Sequence, residues 1–150
     1  MTARLFGKLP AHGDFVARGC SGEERAALDA WLTVSMEQAQ RHFGPTFAER
    51  FDIAQPWIGE GPGVGGIIAA SQDAAGRRYP LILLGGQGDG LDDLAYAAIA
   101  ERWDADRVVE ALGPGASSSV TRWSSLDGRE ARDDAFPLDI VTAMLSDAVA

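Results

Sequence analysis

The chain has little of the chemistry that cysteine and histidine supply. Cys20 is its single cysteine, so no internal disulfide is possible. The only two histidines, His12 and His42, lie far apart and give no zinc-ligand spacing. No metal, no cofactor and a reduced, cytoplasmic setting are expected. Long apolar runs are absent too: nothing approaches the ~18 residues that span a bilayer. The stretch Met1-Thr2-Ala3-Arg4-Leu5-Phe6 runs into Gly7 and Pro10 without the apolar core of a secretory signal. Positive charge is scarce, with 13 Lys and Arg against 22 Asp and Glu and a net charge of −9. That balance repels phosphate backbones and anionic lipid surfaces, so neither nucleic-acid binding nor membrane insertion is expected.

The 150 residues suit one domain, residues 1–150, and 46% of them are apolar, enough to fill a core without a staple. Residues 4–9 form a strand candidate that Pro10 ends, and residues 10–19 read as a loop. Ser21-Gly22-Glu23-Glu24 has the form of a capping box, in which a serine oxygen and a glutamate carboxylate satisfy opposite backbone N–H groups. Leu28, Trp31, Leu32, Ser35 and Ala39 then recur at helical spacing until Gly44-Pro45 stops the helix.

Residues 47–57 lack a clear period, with a short strand beginning at Pro56-Trp57. The glycines from Gly59 to Gly66 read as a flexible connection. Strands are expected over residues 65–70 and 79–84, the second buried on both faces because Leu81-Ile82-Leu83-Leu84 is unbroken. Asp73-Ala74-Ala75-Gly76 between them matches a type I turn, giving a hairpin loop of about four or five residues.

A helix starting near Asp89 carries Leu91, Leu94, Ala95, Ala98 and Ile99 on one face. Residues 104–112 extend it past a bend at Trp103 and Asp104. A strand follows around Val120 and Trp123, then a charged turn over residues 127–134. Pro137 opens a closing helix with Leu138, Val141, Leu145 and Ala148 on one side. The element order predicts an α+β fold: a single-domain sandwich, its central sheet largely antiparallel and flanked by helices.

The sequence offers two enzyme readings. Gly61, Gly63 and Gly66 match G-x-G-x-x-G, but a β-like segment follows where a phosphate-binding helix would have to open. Ser71, Asp73 and His12 offer a nucleophile, a carboxylate and a base, without a G-x-S-x-G elbow around Ser71. A small nucleotide-binding or hydrolytic enzyme using the Gly61-to-Gly66 loop, Lys8 or Ser71 and Asp73 is therefore the alternative.

Two stretches exceed what turns require. Gly7-Lys8-Leu9-Pro10-Ala11-His12-Gly13-Asp14-Phe15-Val16 carries Lys8 and Asp14, which a bend does not explain. Ser71 to Leu81 carries Arg77 and Arg78 at the head of a strand in an acidic protein. An ion pair in which Asp14 or Asp73 accepts from Arg77 is one structural role for these charges.

The first stretch matches G-K-x-P-x-x-G-D-F-V-x-R through Gly7, Lys8, Pro10, Gly13, Asp14, Phe15, Val16 and Arg18. The second matches P-S-x-D-x-x-G-R-x-[FY]-P-L through Ser71, Asp73, Gly76, Arg77, Tyr79, Pro80 and Leu81, with Ala70 in place of the first proline. On these residues the chain resembles the TagF (ImpM) family, accessory proteins of bacterial type VI secretion systems. The resemblance implies a cytoplasmic, non-enzymatic regulator. Such a regulator represses secretion post-translationally, binding a forkhead-associated scaffold protein and acting alongside a kinase and phosphatase pair. It marks Gly7, Lys8, Pro10, Gly13, Asp14, Arg18, Ser71, Asp73, Gly76 and Arg77 as motif residues that bind the partner or hold the fold.

Overall fold

A computed structural model describes residues 3–86 and 90–146. Among these described residues seven strands form one sheet in the order β2-β1-β5-β4-β3-β6-β7, with every neighbouring pair antiparallel. They are β1 (Arg4–Gly7), β2 (Val16–Arg18), β3 (Trp57–Gly61), β4 (Val64–Ala69), β5 (Leu81–Gly85), β6 (Arg122–Ser125) and β7 (Ala131–Arg132). The helices are α1 (Gly22–Phe43), α2 (Phe47–Ile53), α3 (Leu91–Ala100), α4 (Ala105–Leu112) and α5 (Ile140–Ser146). The expected α+β sandwich is what the chain forms.

Strand alternation assigns each residue of the central strands to one of two cores. Phe6, Ile68, Ile82 and Leu84 point to the side where α1, α2 and α5 pack, with Trp31, Trp57 and Trp123 among them. Leu5, Ile67, Leu81 and Leu83 point to the opposite side, under Ala95 and Ala98 of α3 and Val108 of α4. A sheet covered on both faces explains why β5 reads as a continuous apolar run.

The helix α1 follows its sequence signals closely. Ser21 caps it, its hydroxyl accepting the Glu24 N–H at 3.1 Å. The second half of the capping box is replaced: Glu24 instead binds the buried Arg4 guanidinium at 2.5 Å. Leu28, Trp31, Leu32, Ser35 and Ala39 are all buried, as their spacing predicts. Ser35 is there for a polar reason, because its hydroxyl accepts the Val141 N–H at the start of α5, at 2.9 Å. Ser35→Ala leaves that buried donor without a partner and is expected to cost about 1–3 kcal/mol. Urea unfolding should show a lower midpoint with an unchanged slope.

Several expectations are corrected. The loop over residues 10–19 contains β2, a three-residue strand held by pairing with β1. Residues 47–53 are helical, with Phe47 and Phe51 buried one turn apart. The glycine stretch 59–66 is an ordered hairpin, with Gly59 opposite Gly66 and Glu60 opposite Gly65 across β3 and β4. Gly59 is required there because a Cβ would lie 2.9 Å from the Trp123 ring.

The β4–β5 hairpin has the five-residue loop its turn predicts, residues 73–77, and the ladder above it continues in register. That ladder runs through an isolated bridge between Gln72 and Arg78. Helices α3 and α4 are separate, broken at Arg102 with its positive φ of 56°, and Asp104 caps the second through the Arg107 N–H at 2.8 Å. The charged turn includes β7, and the closing helix starts at Ile140 instead of Pro137. The Pro137 carbonyl accepts from Trp31 Nε1 at 2.8 Å. Asp89 and Ala148 lie outside the described residues.

Candidate functional site

The two motif stretches are one structure. Asp73 opens the expected turn, its carbonyl accepting the Gly76 N–H at 3.0 Å, while Gly76 takes φ +83°. Its carboxylate, only 1% exposed, turns inward. Oδ1 accepts from the backbone N–H groups of Ala75 and Arg77, both at 3.0 Å. Oδ2 accepts from Arg77 Nε at 2.8 Å and from Lys8 Nζ at 3.1 Å. Lys8 is also buried, and its ammonium lies 4.7 Å from the centre of the Phe15 ring. Burial opposes charge on Asp73, but the Arg77 N–H, the Lys8 ammonium and the Ala75 N–H outweigh it. They hold the carboxyl at about 2, below its ordinary 3.8.

Backbone contacts close the junction. Ser71 donates its hydroxyl to the Lys8 carbonyl at 2.7 Å, and the Ala74 N–H donates to the His12 carbonyl at 2.7 Å. Arg77 Nη2 donates to the Gly13 carbonyl at 2.7 Å. Arg77 thus joins the buried carboxylate to the surface loop of the first motif. Pro10 is buried, and its carbonyl accepts from Arg102 Nη2 at 2.8 Å. Gly7 carries φ +128° at the end of β1, where a Cβ would sit 2.1 Å from the Pro80 carbonyl oxygen.

Some motif residues point elsewhere. Asp14 is exposed, and its carboxylate accepts the neighbouring Phe15 N–H instead of pairing with Arg77. Of the two acceptors considered for Arg77, Asp73 is therefore the one used. Arg18 bridges to Asp106 on α4 at 2.7 Å. The Arg77-Arg78 pair splits: Arg78 makes a bidentate pair with Asp52 of α2, at 2.7 and 2.8 Å. Tyr79 packs edge-on against Phe15 and places its hydroxyl near Thr33 and Asp29 of α1. Burial of its hydroxyl, chiefly, pushes the Tyr79 pKa up.

Sequence reasoning missed Asp52, Arg102 and Asp106 as partners of the motif region. Each lies far away in sequence, and nothing local to it announces the contact.

The enzyme alternative finds no assembled site among the described residues. Ser71 is buried and its hydroxyl is engaged by Lys8, while His12 Nε2 accepts the Ala105 N–H at 3.0 Å. The Gly61-to-Gly66 segment turns back into β4 and opens no helix. Cys20 is half-buried; burial and the Glu24 carboxylate push its thiol up to about 11, so it is protonated at neutral pH. No group of three or more metal-ligating side chains occurs among the described residues. No helix among them is long and apolar enough to cross a membrane.

The fold and the junction define a small α+β sandwich in which two sequence motifs are tied together by a buried carboxylate. A sequence model of the TagF N-terminal domain, type VI secretion system-associated, matches residues 4–130, and the chain belongs to that family. The fold is similar to that of PA0076 from Pseudomonas aeruginosa PAO1. That crystal structure superposes with a TM-score of 0.64 at 21% identity, over 98% of this chain and 78% of the other. No curated protein matches the chain. The protein is therefore type VI secretion-associated, in a family of accessory domains not known for catalysis.

Proposed function

We propose that the chain is a cytoplasmic, non-enzymatic regulator that represses type VI secretion by binding a forkhead-associated scaffold protein. The observation that carries this reading is the outer rim of the motif junction. Arg77, whose side chain is 61% exposed, is fixed by Asp73 on one side and by the Gly13 carbonyl on the other. Asp14 and Phe15 stand beside it on the first loop, both exposed. A cation, a carboxylate and an aromatic ring on a rigid backbone are what a protein interface uses for specificity.

In this reading Lys8, Pro10, Ser71, Asp73, Gly7 and Gly76 hold the two loops, while Gly13, Asp14 and Arg77 meet the partner. Arg18, with Asp106, fixes β2 behind them. Family membership supports the secretion setting.

Asp14→Ala and Arg77→Ala are expected to weaken scaffold binding about tenfold or more while leaving the circular dichroism spectrum unchanged. Calorimetry with the purified scaffold and a secretion assay read the two consequences. Full affinity and full repression in both folded variants would overturn the reading.

A further inference from the structure

A second surface lies away from the motif rim. Between α3 and the segment joining α2 to β3 runs a groove of about 600 Å³. Three large apolar side chains line it with much of their surface in water: Tyr96 at 75%, Ile53 at 55% and Leu126 at 43% exposure. Scattered exposed apolar residues are ordinary, but three sharing one concave site mark a place of contact.

The charge lining the groove is of one sign. Asp52, Asp92 and Asp93 contribute to it, and no lysine or arginine does among the described lining residues. Asp52 is balanced by Arg78, whereas Asp92 and Asp93 have no ion pair among the described residues. Their place in the first turn of α3 suits the helix dipole, which accounts for two acids there. It does not account for the uncovered Tyr96, Ile53 and Leu126 beside them. A shallower depression of about 320 Å³ continues past Asp52, Ala70 and Ile99 to Gln72.

The sheet decides the form of the occupant. β3 and β4, whose ends border the groove, are paired on both edges and offer no free ladder to an added strand. Contact there is made by side chains. We infer that the groove receives an amphipathic helix of a protein partner, with apolar anchors at i, i+3 and i+7 and lysine or arginine flanking them. Apolar anchors cover Tyr96, Ile53 and Leu126, and the flanking cations meet Asp92 and Asp93.

The probe is a fluorescein-labelled leucine–lysine helical peptide of about 14 residues, read by anisotropy against the full chain. Its counterpart with glutamate for lysine is the control. The lysine peptide should bind with an affinity that falls with salt, and the glutamate peptide should not bind. Ile53→Ser with Tyr96→Ala, and separately Asp92→Asn with Asp93→Asn, should each weaken binding about tenfold or more.

Arg77→Ala and the distant Asp133→Asn should leave binding as it is, which separates this groove from the motif rim. Absence of binding, equal binding by folded groove variants, or equal binding of the glutamate peptide would overturn the proposal.

Discussion

Replacing Asp73 with alanine lowers the melting temperature by on the order of 10 °C. The reason is the arrangement left behind. Lys8 keeps its buried ammonium just past the end of β1 with, among the described residues, the Phe15 ring left to face it. The N–H groups of Ala75 and Arg77 lose the acceptor that shapes the turn. Breaking one partner out of a buried pair is costly because the other charge stays buried.

The same carboxylate predicts a pH dependence. Its pKa is about 2 in the fold against an ordinary 3.8, so the folded state favours the charged form. The stabilisation is full above 3.8 and disappears as pH falls through that value toward about 2. Differential scanning calorimetry of wild type and Asp73→Asn should show a wide gap in melting temperature at pH 6. That gap should narrow by pH 3. A constant gap across this range would remove the carboxylate's charge from the explanation.

Gly7→Ala should be as damaging, by about 4 kcal/mol or more, and is expected to yield little folded protein. Two effects combine: φ of +128° disfavours any L side chain, and a Cβ would meet the Pro80 carbonyl oxygen at 2.1 Å. That oxygen is backbone at the entrance to β5 and cannot swing away. Gly13→Ala is the matching control from the same motif. A Cβ there meets nothing within 4 Å, so stability should change by no more than about 0.5 kcal/mol. Soluble yield and chemical unfolding of the two variants check the contrast. Equal effects would mean that the motif glycines share some other constraint.

Much of the fold was legible because its signals are local. Ser21 and Gly44-Pro45 bracket α1, and the unbroken apolar run of β5 reports burial on both faces. Elements fixed by distant partners were not legible. β2 is three residues long and exists because β1 supplies its ladder. The glycine-rich segment is an ordered hairpin whose Gly59 fits under Trp123 and Val120, where no side chain has room, and both of those residues are distant in sequence.

The site divides in the same way. Asp73 and Gly76 announce a turn through their residue types, and pairing with Arg77 was one of the two options the sequence offered. An aspartate at a turn usually faces water, and only the approach of β1 brings Lys8 under it. Asp14 carries the same charge in a similar loop, yet its neighbour's N–H takes it, and nothing in its spacing distinguishes the two.

The claim that both motifs form one structure is tested most directly by a double-mutant cycle between them. Lys8→Met and Asp73→Asn, alone and together, are compared by urea unfolding. Asp73→Asn leaves the buried Lys8 ammonium without its carboxylate, and Lys8→Met removes one of the two cations on Asp73 Oδ2, so the double variant should lose clearly less than the sum of the two. Strict additivity would contradict a shared junction and leave Gly7 to Val16 and Ser71 to Leu81 as two separate loops.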